Sequence, residues 1–275
     1  MERTRTENVE FAASSLHQSS DGCIWARLLN GKVYRFAPDS KQVEKPLGNQ
    51  RTSDIAWNFD SATLLMHNGQ VLEFDLISHA KSTILREPNM FAPISREDSA
   101  NNFYCVLGES LQYVDRRGNC IRAWRLDFEP EILFLCSNNT LVIAGDSTSL
   151  LTAESPDKLQ ALEGLARGRV TSVAEHPSSD VIAVTGQELH LIDRQGNGIA
   201  RCEEAFNKSG FSVSGNRIYC SSYSEEVFPK DLNSSESLGD FFLVRMPYCS
   251  SFLACQKDHS DALWVSHDSH LLLYE

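Results

Sequence analysis

Apolar residues in this chain fall into short runs separated by polar turns, and within many runs apolar and polar positions alternate, the period of a half-buried strand. Two segments make the pattern explicit. Leu111-Gln-Tyr-Val-Asp-Arg-Arg-Gly-Asn-Cys-Ile-Arg122 and Leu189-His-Leu-Ile-Asp-Arg-Gln-Gly-Asn-Gly-Ile-Ala200 each read as a strand, a DRxGN turn and a second strand. The Gly-Asn pair supplies residues that accept the positive φ of a tight hairpin turn.

The two copies start 78 residues apart, near two repeats of about forty residues. Strands ending in an aromatic or aliphatic residue, often followed by Asp, recur at similar intervals at Phe36, Phe74, Val114, Leu151, Ile192, Phe228 and Tyr274. Seven anchors predict an all-β chain, a closed seven-bladed β-propeller of four-stranded antiparallel blades forming a single domain over 1–275. The approximate blades are 9–47, 48–88, 89–127, 128–166, 167–204, 205–240 and 241–275. The last ends on a third-strand pattern, so Arg3–Asn8, within 1–8, is expected to supply the closing strand.

The clearest unit is Gly168-Arg-Val-Thr-Ser-Val-Ala-Glu-His-Pro-Ser-Ser-Asp-Val-Ile-Ala-Val-Thr-Gly-Gln-Glu-Leu-His-Leu-Ile-Asp193. It resembles the core of a WD repeat: inner strand, Pro-containing turn, second strand, tight turn, and a third strand ending in an apolar-Asp pair. Ser53–Asp75 and Asp21–Phe36 follow the same plan. The resemblance spans essentially the whole chain but is degenerate, since neither a Trp-Asp nor a Gly-His dipeptide occurs. Blade cohesion is therefore expected to rest on apolar packing between sheets.

The resemblance implies a rigid protein-binding ring, a subunit of a larger assembly, whose partners use the face of interblade loops and second-to-third-strand turns. Asn49, Arg51, Asn68, Glu97, Glu109, Asp146, Arg169, Gln187 and His267 are assigned to that face. Trp124, flanked by Arg122 and Arg125, joins them as an exposed Trp of the kind enriched at interface hot spots. Trp25, Trp57 and Trp264 are read as core. Ser155–Arg167 carries a helix signal, with Ser155 as cap, Pro156 in the first turn and leucines three apart. The acid-rich stretch Ser221–Asp240 reads as an extended loop between the sixth and seventh blades.

Composition narrows the function. The net charge of −12 repels phosphate backbones and anionic headgroups, so nucleic acid and membrane are unlikely partners unless Arg122, Arg125, Arg167 and Arg169 cluster into a local basic patch. The N-terminal residues lack the apolar core of a signal peptide, and a cytoplasmic or nuclear location is expected. Eight scattered cysteines without a CxxC pair read as reduced, mostly buried thiols.

A GxSxG elbow, an HExxH pair, a phosphate-binding loop and a dinucleotide fingerprint are all missing from the sequence. Asp258-His259 and His267-Asp268-Ser269-His270 lack a diagnostic metal spacing. Catalytic residues, metal and cofactor are each expected to be none. A non-enzymatic platform is favoured; an acidic inhibitor or immunity-type protein that neutralises a basic partner, and a propeller lyase or hydrolase with a central-channel site, remain open alternatives.

Overall fold

A computed structural model describes residues 3–37, 43–86, 90–152, 157–162, 165, 169–222, 235–246, 249–257 and 260–275. Regular structure among them is strand throughout, in seven four-stranded sheets. The first blade orders Ala13–Gln18, Ile24–Leu28, Val33–Phe36 and Val43–Glu44 from the centre outward. The second holds Thr52–Asn58, Ser61–Met66, Gln70–Asp75 and Lys81–Arg86, and the third Met90–Ile94, Phe103–Leu107, Ser110–Val114 and Cys120–Arg125. The fourth holds Pro130–Leu135, Leu141–Gly145, Thr148–Leu151 and Gln160–Ala161. The fifth holds Ser172–Glu175, Ile182–Thr185, Leu189–Ile192 and Gly198–Cys202.

The seventh blade closes the ring. Ser251–Lys257, Ser260–His267 and His270–Tyr274 are completed by Arg3–Asn8, which pairs antiparallel from Arg3↔Tyr274 to Asn8↔His270. This N-terminal strand is polar and largely exposed, as an outer edge demands. Further in, the Ala13 amide donates to Ser266 Oγ at 2.7 Å and Ser251 Oγ donates to the Ala13 carbonyl at 3.0 Å.

The sixth blade departs from the meander. After Phe206–Phe211 and Arg217–Ser222 the chain next enters the sheet as its outermost strand, Ser235–Leu238, and only then fills the third place with Phe241–Met246. That third strand therefore runs parallel to the second, from Arg217↔Phe242 to Ser221↔Met246. The boundary expected at 240/241 thus cuts through a sheet, and the described part of the expected 221–240 loop includes two of its strands. The physical reason is composition: Phe241-Phe-Leu-Val-Arg-Met246 suits a covered position, whereas Ser235-Glu-Ser-Leu238 suits an edge. Phe228, the anchor expected there, lies outside the described residues.

The expected helix at Ser155–Arg167 is also replaced where it is described. Gln160 and Ala161 pair with Leu150 and Ser149 as the fourth blade's outer strand, and Leu162 enters the seam beside them. An open sheet edge outweighs a weak local helix preference.

Seven apolar clusters glue the seven seams, one between each pair of adjacent blades. The pleat divides each strand between two of them: Ile24 and Ala26 face the seventh blade, while Trp25 faces the second and meets Phe74 edge-on at 5.7 Å. Each buried Leu or Phe contributes about 1.5–3 kcal/mol. Trp25 and Trp264 are core, as read from sequence. Trp57 is different, standing partly exposed on an inner strand, stacked on His17 at 5.4 Å, with its indole donating to Ser15 Oγ.

The two DRxGN turns join third and fourth strands. Gly118 (φ 81°) and Gly196 (φ 89°) take the left-handed position, and the ladder shifts register beside each turn. Asp115 Oδ1 accepts from the amides of Arg117 and Asn119, matched at Asp193 by Gln195 and Asn197. The motif's Arg spans a seam in both copies. Arg116 reaches Glu97 of its own blade at 3.0 Å and Glu73 of the second at 2.9 Å, while Arg194 reaches Glu175 and, in the fourth blade, Ser137 Oγ, both at 3.3 Å.

Candidate interaction face

Strand alternation sorts the connections onto two faces. First-to-second-strand loops and DRxGN turns lie on one; second-to-third-strand turns and interblade connections lie on the other. Repeated backbone contacts hold the second face together. The amides of Thr52, Val170 and Phe206, each at or beside the start of a blade, donate to Gly31, Gly145 and Gly186 of the preceding one at 2.8, 3.0 and 3.1 Å. The rim is therefore pinned blade to blade by main chain.

Eight of the ten residues predicted from sequence stand on this face. Asn49 and Arg51 occupy the connection between the first two blades, and Arg169 that between the fourth and fifth. Asn68, Glu109, Asp146 and Gln187 occupy second-to-third-strand turns of four successive blades. These seven are exposed, whereas His267, at the corresponding turn of the seventh blade, is half-buried.

Glu97 is a correction. It lies between the first and second strands of the third blade, on the opposite face, and is buried under Arg116. Burial raises its carboxyl above the usual range, with Arg116 opposing. The sequence offered no strand boundary between Met90 and Asn102 sharp enough to tell an interblade loop from the loop one strand later. Trp124 is a second correction: it is half-buried on an outer strand, packs on the seam between the third and fourth blades, and carries Arg122 over its ring at 5.9 Å.

Two residues that sequence reading passed over are, among the described residues, the most exposed large apolar side chains on this face. Phe11 is 50% and Leu29 63% exposed, and the Leu29 amide donates to the carbonyl of Ala12 at 2.9 Å, which brings the backbone of Leu29 next to the residue that follows Phe11. Glu10, beside them, binds Lys32 at 2.6 Å and Lys45 at 2.9 Å, and these ammonium groups hold its carboxyl down at about 2. The available signal was Leu29 itself, an apolar residue following the strand and directly preceding the Asn30-Gly31 turn.

The sequence-flagged arginines do not pool into a basic patch where they are described. Arg122 pairs with Asp157, Arg125 with Glu109 and Arg169 with Glu131. A recess of about 610 Å³ between the third and fourth blades has a floor of Val106, Leu126, Phe128 and Pro130 and carries Glu109, Asp127 and Glu129 with Arg125.

A cavity of about 370 Å³ occupies the channel between the inner strands. Three of its charged groups bind the backbone of neighbouring blades, while Glu131 pairs with Arg169. Asp54 Oδ2 accepts from the Ile94 amide at 2.9 Å, Arg96 Nε donates to Leu135 O at 2.7 Å, and Lys208 Nζ donates to Thr171 O at 3.2 Å. Desolvation raises the Asp54 carboxyl despite the Ile94 and Ile55 amides. Inner strands have one unpaired edge, and these side chains serve it. Among the described residues, groups of three or more His, Cys, Asp or Glu arranged to hold a metal are absent.

This fold is that of WD-repeat-like β-propellers. A chain in a crystal structure of the mitotic checkpoint complex superposes with a TM-score of 0.72 at 14% identity, covering 99% of this chain and 93% of that one. The Pan2 WD40 domain of Neurospora crassa superposes with a TM-score of 0.67 at 9% identity, covering 96% and 88%. No family model and no curated protein matches the sequence. Among the described residues no helix is long and apolar enough to cross a membrane.

Proposed function

We propose that this protein is a non-enzymatic protein-interaction platform, a subunit of a multiprotein assembly, that engages its partner through the face of interblade connections and second-to-third-strand turns. The observation that carries the reading is Phe11 and Leu29, adjacent, exposed and held by backbone on a rim whose surroundings are charged. Apolar centres with polar rims mark interaction surfaces, and a pinned rim loses little conformational freedom on binding. One of the similar folds is found in a multiprotein complex, which fits the same role. Among the channel's charged side chains, Asp54 and Arg96 bind backbone groups and Glu131 pairs with Arg169, which argues against a catalytic site built from them.

Affinity purification from the native cell tests the reading. A partner should co-purify stoichiometrically with the wild-type protein and with Phe59→Asp, on the opposite face. It should be lost from a Phe11→Asp/Leu29→Asp variant that melts normally. Retention by the rim variant, or a chain that purifies alone, contradicts the proposal.

The acid-lined recess beside Pro130 favours a more specific version, in which the partner inserts a basic side chain and the net charge of −12 speeds its approach. Reversal of Glu109, Asp127 and Glu129 to Lys should then slow association, with less effect on dissociation.

A further inference from the structure

Lys208 lies on the inner strand of the sixth blade, where the channel meets a second recess. That recess, about 660 Å³, opens on the interaction face and is lined by Glu131, Arg169, Thr171, Gln187, Asn207 and Lys208 among others. Lys208 also lines the channel cavity, so one lysine borders both spaces.

Its partners are few. Nζ carries three N–H donors, and the backbone carbonyl of Thr171 takes one. Four of the five other polar residues lining the recess are committed elsewhere. Arg169 Nε binds Glu131 Oε2 at 2.6 Å, Asn207 Nδ2 donates to Cys249 O at 2.9 Å, and Thr171 Oγ1 donates to the carbonyls of Thr185 and Phe206. Arg169 and Glu131 cancel, which leaves Lys208 as the uncompensated charge of the recess, a local cation in an acidic protein. Burial pushes its ammonium below the usual lysine range, with Cys249 acting weakly the other way. A desolvated ammonium with spare donors gains strongly from an anionic partner.

We propose that this recess is a carboxylate-binding site, in which one carboxylate ion-pairs with Lys208 while Gln187 and Arg169 line the rim through which it enters. One uncompensated positive charge matches a monoanion better than a dianion, so the chemistry favours a carboxylate over a phosphate. The space admits a small organic acid or an acidic side chain of a bound protein. The site stands independently of the platform reading if the source is a free acid, and rests on that reading if the source is a partner.

Reductive methylation of the full chain, read peptide by peptide in a mass spectrometer, tests it. Saturating succinate or acetate, or a blocked peptide carrying one glutamate, should slow labelling of Lys208 about tenfold or more and leave the exposed Lys81 and Lys158 unchanged. Protection by the free acids identifies a small-molecule site, and protection by the peptide alone identifies a partner's side chain. Absence of protection by any of them, or equal protection by inorganic phosphate, overturns the proposal. Calorimetry with the protecting carboxylate should show about 10- to 100-fold weaker binding to Lys208→Met. Unchanged affinity in that variant, once folded, also overturns it, and if the variant does not fold the labelling of the wild-type chain decides.

Discussion

The carbonyl oxygen of Arg169 lies so close to the α-carbon of Gly186 that a methyl group added there would sit 2.6 Å from it. The same relationship joins Gly145 to the carbonyl of Glu129 one blade earlier. In both places a second-to-third-strand turn abuts the connection that precedes its own blade, and the backbones approach closer than any side chain permits. Gly186→Ala should therefore cost about 1–3 kcal/mol of stability through a displaced rim. Gly198→Ala, where the added methyl meets nothing within 4 Å, serves as the control. Equal melting of the two variants in urea contradicts this account of the seam.

Ring closure by Arg3–Asn8 makes the second prediction. Five registered pairs join it to His270–Tyr274, and removing them leaves an open ladder on the seventh blade. At about 1 kcal/mol net per lost hydrogen bond, deletion of residues 1–8 should cost several kcal/mol and promote self-association. Thermal melting and light scattering measure both effects. A truncated chain that melts like the intact one and stays monomeric contradicts the closure.

What could be read in advance follows from where the information lies. Six of the seven third-strand anchors, Phe36, Phe74, Val114, Leu151, Ile192 and Tyr274, lie at or beside the end of the third strand of a blade, because a covered strand must be apolar wherever it occurs. The parallel direction of the third strand in the sixth blade was not legible, since hydropathy records burial and carries no information about direction. The turn in DRxGN was visible from Gly and Asn, while the clasp made by its Arg depends on Glu73 and Ser137 in other blades, which only the folded ring brings near. Phe11 and Leu29 escaped for the opposite reason, because scattered exposed apolar residues carry meaning only once they are seen to be adjacent.

The DRxGN aspartates predict an acid response. At Asp115 the Asn119 side chain, then the Asn119 and Arg117 amides, hold the carboxyl below its usual range. At Asp193 burial opposes the shift, but the Asn197 side chain and the Asn197, Gln195 and Gly196 amides outweigh it. A folded-state value below the unfolded one, about 3.9, gives stability that is present above that pH and is lost as pH falls through the folded value. Compared with an Asp115→Asn/Asp193→Asn variant, the wild-type chain should hold its advantage at neutral pH and lose it progressively below about pH 4. A difference in melting temperature that stays constant between pH 7 and pH 3 contradicts the assignment.

Thiol reactivity tests the packing of the seams. None of the eight cysteines is in a disulfide; six are buried, Cys202 is half-buried and Cys120 is exposed. Burial pushes the Cys105 and Cys136 thiols up to about 12, which removes the reactive thiolate at ordinary pH. A thiol reagent at pH 8 should modify Cys120 rapidly, Cys202 slowly and the other six only on unfolding, and reductant should leave the melting temperature unchanged. Rapid modification of Cys105 or Cys136 in the native state contradicts the seam packing.

Hydroxyl-radical footprinting of the native complex against the isolated protein tests the interaction face most directly, because it reads every face of the ring in one experiment. The interaction-platform account predicts protection of Phe11 and Leu29, extending to the adjoining Asn49–Arg51 connection, with Phe59, Ile77 and Val213 on the opposite face labelled as in the free chain. Protection confined to Phe59, Ile77 and Val213, with Phe11 and Leu29 labelled equally in both samples, would place the partner on the other face and contradict it.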